Sequence, residues 1–271
     1  MTGGQAINVE KIENFPGFPD GISGAQMSAL LQDQAIKYGL DIKLSEVARL
    51  QKRNKHWSVG TYDGDLTAKV VIVAGGSTLR RLGVPGEKEL HGSGVSYCAT
   101  CDGAFFSDQV IAVVGGGDSA LDEAVTLTKF ASKVIIIQRG DQFRGQKILQ
   151  DRVLSNPKVE ILWNTAINSI IGKSQVDGLG IKDMTSGKTS CVDLSGVFIY
   201  VGLDPNTQYL SKLIPLDNGG HIPTDIWMRT PLPGLMAAGD IRQGSAAQFV
   251  SAAGDGATAA ISAYRYIDTS N

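Results

Sequence analysis

Two groups of residues in this chain have the types and spacing that chemistry requires. Cys98-Ala99-Thr100-Cys101-Asp102 sets two thiols two residues apart and follows them with a carboxylate. Thiols at that spacing close a disulfide and open it again, and a neighbouring carboxyl group can take or supply the proton that a thiolate exchanges. A few residues later, Gly115-Gly116-Gly117-Asp118-Ser119-Ala120 has the Gly-x-Gly-x-x-Ala pattern of a loop whose backbone approaches a dinucleotide pyrophosphate. Together they suggest electrons passing from a reduced nicotinamide to a disulfide. Nicotinamide delivers hydride, whereas a disulfide opens through thiolate chemistry, and a flavin normally relays between the two. The plain alternative makes Cys98 and Cys101 two buried small hydrophobes, but the adjacent Asp102 argues against a dry core. Zinc would want four ligands, and the remaining candidates, Cys191, His56, His91 and His221, have no ligand-like spacing.

The elements that must hold these groups are legible around them. Val110-Ile111-Ala112-Val113-Val114 is an unbroken apolar run, as a buried parallel strand should be. The glycine loop follows at once. Ser119 to Phe130 then reads as a helix with Leu121, Ala124, Val125 and Leu127 on its apolar side, and Val134-Ile135-Ile136-Ile137 is the next strand. The motif therefore stands in the βαβ context it needs. Further strands are expected at 70–74, 159–163, 196–200 and 235–238, with ribbon pieces at 57–59 and 180–182. A C-terminal helix is expected over 246–266, with a small-residue face that lets another backbone or a flat ligand approach. Hinges are expected near 80–85 and 202–206. They place one domain at 80–202 and a second, discontinuous one at 1–79 and 203–271. Trp57, Trp163 and Trp227 read as packing residues, His91 as a loop residue and Cys191 as part of a ribbon.

Composition sets the bounds. A hydrophobic content of 42% in 271 residues fills one large or two ordinary cores. A net charge of −2 gives no reason to expect nucleic acid or an anionic membrane as partner. No signal segment and no run of membrane-spanning length is present, so the cytoplasm is the expected compartment. In a reducing compartment a close cysteine pair is redox-active more often than structural.

Beyond these two motifs, Gly3-Gly4-Gln5, Ile12-Glu13-Asn14-Phe15-Pro16-Gly17, Gly202 to Asn206, Ala238-Gly239-Asp240 and Gln248 to Gly256 occur in a fixed order along the chain. In that order the sequence resembles the low-molecular-weight thioredoxin reductases of the flavoprotein disulfide reductase group. The resemblance implies an α/β chain of two nucleotide-binding three-layer domains with parallel central sheets and β-ribbons. It further implies FAD in the discontinuous domain, NADPH in the inserted one, a homodimer, and thioredoxin or a similar small disulfide protein as partner. Domain rotation about the two hinges would alternate what faces the flavin. By the same resemblance Cys98 and Cys101 form the redox disulfide and Asp102 is the proton donor or acceptor. Gly4, Gln5, Asn14, Ala74, Gly75, Gly239, Asp240, Gln248 and Phe249 fall to the flavin. Gly115, Gly117, Asp118, Ser119, Ala120, Arg139 and Arg144 fall to NADPH. Asp122 and Glu123 complement the helix dipole, and one of them is near the nicotinamide.

Four departures qualify the resemblance. The family opens with a strand, a Gly-x-Gly-x-x-Gly loop and a helix for the FAD pyrophosphate, and this sequence starts at the region that follows them. The explanations are a truncated or late-started reductase, a chain completed by a partner, and a relative that no longer binds FAD. The expectation is that this polypeptide alone binds NADPH and purifies with little FAD. Gln138 stands where NAD-specific sites carry an acid, and Gly140 where the family has a second Arg, so NADPH is expected with a weaker preference than usual. Ala247 replaces a common Arg, and Gly75 a common Thr. The alternative functions are a flavin-dependent dithiol oxidase, which tends to lose the coenzyme loop, and a non-catalytic NADP-binding relative.

Overall fold

The computed structural model describes residues 2–269. Chain contacts divide it into two units, one made of the residues up to Thr78 and those from Asp204 onward, the other of Leu79–Leu203. The first unit begins with helix α1 (Gly24–Lys37), whose first turn is capped by Ser23: its hydroxyl accepts the Gln26 N–H at 3.2 Å. An antiparallel ribbon follows, β1 (Val47–Arg53), β2 (His56–Thr61) and β3 (Gly64–Ala68). The ribbon turns Leu50 and Trp57 inward. Strand β4 (Val71–Val73) comes next, and β5 (Ser77–Leu79) carries the chain into the second unit.

The second unit contains, in order, β6 (Val95–Ser96), α2 (Ala99–Asp102), β7 (Val110–Val114), α3 (Asp118–Leu127), β8 (Lys133–Ile137), α4 (Lys147–Leu154) and β9 (Val159–Leu162). It continues with β10 (Thr165–Gly172), β11 (Val176–Asp183), β12 (Thr189–Asp193) and β13 (Gly196–Ile199). Five parallel strands align in the order β6-β13-β7-β8-β9, and β10-β11-β12 form an antiparallel ribbon. The two-residue alternation of strand side chains explains the layers. Ile111, Val113, Val134 and Ile136 point toward Ala120, Leu121, Ala124 and Leu127 of α3. Ala112, Val114, Ile135 and Ile137 point the other way, toward Leu179 and Ile181 of the ribbon. Both faces are covered, so β7 and β8 need continuous apolar sequence, and they have it.

The chain returns to the first unit through β14 (Leu203–Pro205), which pairs with β5, and continues to β15 (Leu235–Ala237) and helix α5 (Phe249–Thr269). Strand β15 pairs in parallel with β4, Leu235↔Val71 through Ala237↔Val73. Leu235 and Ala237 face Leu50 and Trp57 of the ribbon, and Met236 and Ala238 face Ala259 of α5. This unit too is ribbon, parallel strands and helix in three layers. Two expectations shift. The first helix after the glycine loop ends at Leu127, where the Thr128 hydroxyl donates to the Val125 carbonyl. The C-terminal helix starts three residues later than expected, at Phe249, after Ala247 takes a left-handed φ of 51°. Its glycines meet no backbone: a side chain at Gly254 or Gly256 would find no atom within 4 Å. Among the described residues, no helix is long and apolar enough to cross a membrane.

Candidate active site

Cys98 and Cys101 are joined by a disulfide, with their Cα atoms 5.3 Å apart. The local sequence makes this possible because Cys98 leaves β6 in an extended conformation and caps α2 while Cys101 lies within that turn. The Cys98 Sγ itself accepts the Cys101 N–H at 3.2 Å. Cys98 is partly shielded and Cys101 is exposed. The Asp102 N–H donates to the Cys98 carbonyl at 3.1 Å. The Asp102 carboxylate accepts the hydroxyl of Ser96 at 2.6 Å, and the Ser96 oxygen accepts the Cys98 N–H at 3.0 Å. Ser96 is 4% exposed, so the hydroxyl at the centre of this network is shielded, while Cys98 and Asp102 are only partly buried.

Two further groups close the surroundings. Tyr200, just past β13, accepts the Ala99 N–H on its phenol oxygen at 3.0 Å. Burial pushes that phenol well above its ordinary range, and the charges of Glu123, Asp102 and Asp122 push it the same way, so it stays neutral. Glu87, 4% exposed, accepts the Tyr97 hydroxyl at 2.6 Å and the N–H groups of Leu82 at 2.9 Å and Gly83 at 2.6 Å. The residue next to Cys98 is thereby tied to the start of this unit.

Helix α2 packs against α3, the helix that opens from the glycine loop. Gly115 has a φ of 131°, and a Cβ there would lie 2.2 Å from the Tyr200 carbonyl oxygen, so no side chain is tolerated. Gly117 caps α3 with no side-chain hydrogen bond, and a Cβ there would meet nothing within 4 Å. The backbone at this helix start is open in the way an approaching phosphate needs. Ser119 is exposed there and Ala120 is buried beneath it. A cleft of about 300 Å³ lies beyond β8, lined by Gln138, Arg139, Gly140, Asp141, Gln142 and Arg144. Arg139 and Arg144 are both exposed at it.

Some expected ligands are engaged within the protein. The Asp118 carboxylate accepts the backbone and side-chain N–H groups of Gln146, at 2.6 and 2.8 Å. Gln138 is buried, and its amide donates to the Gln142 carbonyl at 2.7 Å. The Arg144 N–H reaches the Gly116 carbonyl at 2.8 Å, so the arginine loop is stitched to the glycine loop.

In the first unit, the Asn14 amide donates to the Gln248 side-chain oxygen at 2.8 Å, and the Phe15 and Phe249 rings meet at 5.7 Å. Gln5 reaches the Ser77 carbonyl, at 3.5 Å, and Gly4 is exposed in a single turn. The Gly75 carbonyl accepts the Asn206 amide at 2.8 Å, next to Ala74. Asp240 is half-buried in the turn Gly239–Ile241. Burial pushes its carboxyl above the usual range and the charge of Asp255 adds to this, while a Ser245 hydrogen bond opposes. Gly239 N–H and Arg242 both donate to Asp255, with Arg242 Nε and Nη2 at 2.5 and 2.8 Å.

The geometry missed by sequence reasoning is Ser96, Tyr200 and Gln146. Only Ser96 carries a local signal, a hydroxyl two residues ahead of a helix-capping residue. Trp57 is fully buried, Trp163 meets Phe143 at 4.5 Å with the rings tilted, and exposed His91 bridges to Val95 beside Tyr97.

Residues 2–256 match the family of pyridine nucleotide-disulphide oxidoreductases. A thioredoxin reductase of Treponema pallidum is 40% identical over 98% of this chain and 87% of its own length. One from Listeria monocytogenes is 42% identical over 99% of this chain and 84% of its own. The crystal structure of Lactococcus lactis thioredoxin reductase superposes with a TM-score of 0.96 at 38% identity, covering 98% of this chain and 88% of that one. The chain belongs to the pyridine nucleotide-disulphide oxidoreductase family and, within it, to the thioredoxin reductases.

Proposed function

We propose that this protein is an NADPH-dependent thioredoxin-disulfide reductase. NADPH gives up a hydride and becomes NADP⁺, and with one proton those two electrons turn the Cys98–Cys101 disulfide into a dithiol. The dithiol then returns to the disulfide as it reduces oxidised thioredoxin, or a similar small disulfide protein, to its own dithiol. The observation that carries this reading is the Cys98–Cys101 disulfide at the cap of α2, with the Asp102 carboxylate anchored beside it.

The residues present fit NADPH and the flavin end of FAD. In the unit Leu79–Leu203, the open backbone at Gly117 and the first turn of α3 would take the NADPH pyrophosphate, with its negative charge at the positive end of the helix. Arg139 and Arg144, across the cleft beyond β8, would take the 2′-phosphate. Asp118 orders that loop through Gln146 rather than facing an anion. In the other unit the donor set is one of amides, a half-buried carboxyl and a helix start: Asn14, Gln248, Asp240 and the N–H groups opening α5. Such a set suits the carbonyl edge of a flavin ring and the hydroxyls of its chain, with Gly4, Gln5, Ala74, Gly75, Gly239 and Phe249 around it. FAD, when bound, supplies the relay between a hydride donor and thiol chemistry. Asp102 takes the proton from one thiol as the dithiol reacts and returns it when the disulfide is reduced. A homodimer in the cytoplasm completes the proposal.

The test uses flavin-loaded protein. Cys98→Ser and Cys101→Ser should each abolish thioredoxin reduction while leaving flavin reduction by NADPH intact. Substantial disulfide reductase activity in either variant overturns the assignment.

A further inference from the structure

We infer that Ser96 is a positioning residue for the proton transfer at the cysteine pair, acting through Asp102. A serine hydroxyl has one proton to give. Its oxygen lies 2.6 Å from Asp102 Oδ2 and 3.3 Å from the Cys98 carbonyl. The shorter partner is a carboxylate, so the proton points there and forms a charge-assisted bond. The oxygen lone pair then receives the Cys98 N–H at 3.0 Å. The result is a closed ring. Cys98 N–H leads through Ser96 to the Asp102 carboxylate, and the Asp102 N–H returns to the Cys98 carbonyl at 3.1 Å. The carboxylate cannot swing without breaking its bond to the Ser96 hydroxyl, which is itself shielded at 4% exposed.

Ser96 is itself held by β6, where it sits opposite Phe198 of β13 in the parallel sheet. The base that serves the cysteines is therefore aimed from the rigid sheet and not only from its own short helix. The neutral phenol of Tyr200 stands beside this cluster at Ala99, and the charges of Asp102 and of Asp122 and Glu123 of α3 act on that phenol. Like charges nearby favour protonation of a carboxylate, and a hydrogen-bond donor favours its ionised form. Ser96 is the hydroxyl that donates to the Asp102 carboxylate.

The inference rests on the reading of Asp102 as the proton acceptor, and the experiment separates the two. The full chain is reduced chemically, freed of reductant, and mixed with dipyridyl disulfide, so no flavin or nicotinamide takes part. One protein thiolate attacks the probe and releases one thiopyridone. The second thiol loses its proton to Asp102 and displaces the other thiopyridone, leaving the protein disulfide; the probe gains the two electrons that the dithiol loses. The rate of the second release is followed against pH. Ser96→Ala should move the acid limb upward by about one pH unit, so the rate below that limb falls about tenfold. Ser96→Thr, which keeps the hydroxyl, should retain the wild-type limb, and Ser96→Val, matched to it in size, should behave like Ser96→Ala. In an Asp102→Asn background, Ser96→Ala should cause no further shift. An unmoved limb in both Ser96→Ala and Ser96→Val overturns the inference, as does an equal shift in the Asp102→Asn background, which would mean Ser96 acts on Cys98 directly. A wild-type limb in Asp102→Asn alone overturns the reading of Asp102 itself.

Discussion

Gly140 lines the cleft beyond β8 between the two arginines in sequence, where the family pattern has another arginine. A Cβ on it would find only the Gln138 amide nitrogen, at an ordinary 3.7 Å, and its φ needs no glycine. The site therefore has room for the missing cation. One charge-assisted contact to a phosphate is worth about 1.5–3 kcal/mol, or tenfold to a hundredfold in discrimination. Gly140→Arg should raise the ratio of kcat/KM for NADPH over NADH by that order, while Arg139→Ala should lower it. Equal ratios in all three proteins would remove the phosphate reading. Such residues can be proposed from spacing alone: Cys98, Cys101 and Asp102 lie within five positions, and Arg139 comes two residues after the end of β8. Tyr200 cannot, because it meets Ala99 across 101 positions and only the β6–β13 pairing brings them together. Asp118 was legible as part of the motif but not in its contact, since Gln146 reaches it from 28 positions away.

At the scale of elements, the segment from Leu82 to Cys98 behaves as a clamped strap. Burial alone would raise the Glu87 carboxyl, but the Tyr97 hydroxyl and the N–H groups of Leu82, Gly83 and Val84 outweigh it and hold it below its ordinary value of 4.5. The Tyr97 phenol is pushed up by burial and by this same carboxylate. A carboxyl with a depressed folded pKa adds stability above its unfolded value, and that stability is lost as pH falls through the folded one. Glu87→Gln should therefore cost most near neutrality and least in acid. The gap from wild type in urea unfolding should shrink as pH falls from neutrality to well below 4.5, and a gap independent of pH would refute the charge argument. Glu87→Ala leaves buried N–H groups without an acceptor and should cost about 2–3 kcal/mol. The strands and α3 were readable because both faces of the central sheet are covered and demand continuous apolar runs. Helix α1 was not, because Leu30 and Leu31 are 53% and 40% exposed and its apolar residues mark no single buried stripe.

The molecule as a whole holds separate cores. Trp57, Val73, Leu210, Ile222 and Leu235 belong to one unit, and Ile111, Leu121, Ile136 and Phe198 to the other. A ligand stabilises only the folded unit that binds it. If Leu79–Leu203 alone holds NADP⁺, calorimetry should resolve two transitions, and a hundredfold excess over Kd should add about 2.7 kcal/mol to one of them. The shift is roughly 10 °C for a unit of this size, with the other transition almost still. A single transition moving as one would contradict the independence of the two cores. The two compact units divide near the two hinge-like sequences, and the complete βαβ start lies within one of them. The layer order within the other unit was not legible in the sequence, since its strands β4 and β15 are three residues each and pair across 164 positions, Leu235 opposite Val71 through Ala237 opposite Val73.

The Arg242–Asp255 pair has a consequence for descent. With side chains 17% and 8% exposed and two parallel hydrogen bonds, each charge is shielded from water and held by the other. Losing either alone strands a buried ion and costs about 3–5 kcal/mol, whereas exchanging both for apolar residues of like volume costs little. The two positions form a single heritable character. Lineages that keep the turn at Asp240 should carry both or neither, and the intermediates between those states should be absent from working enzymes.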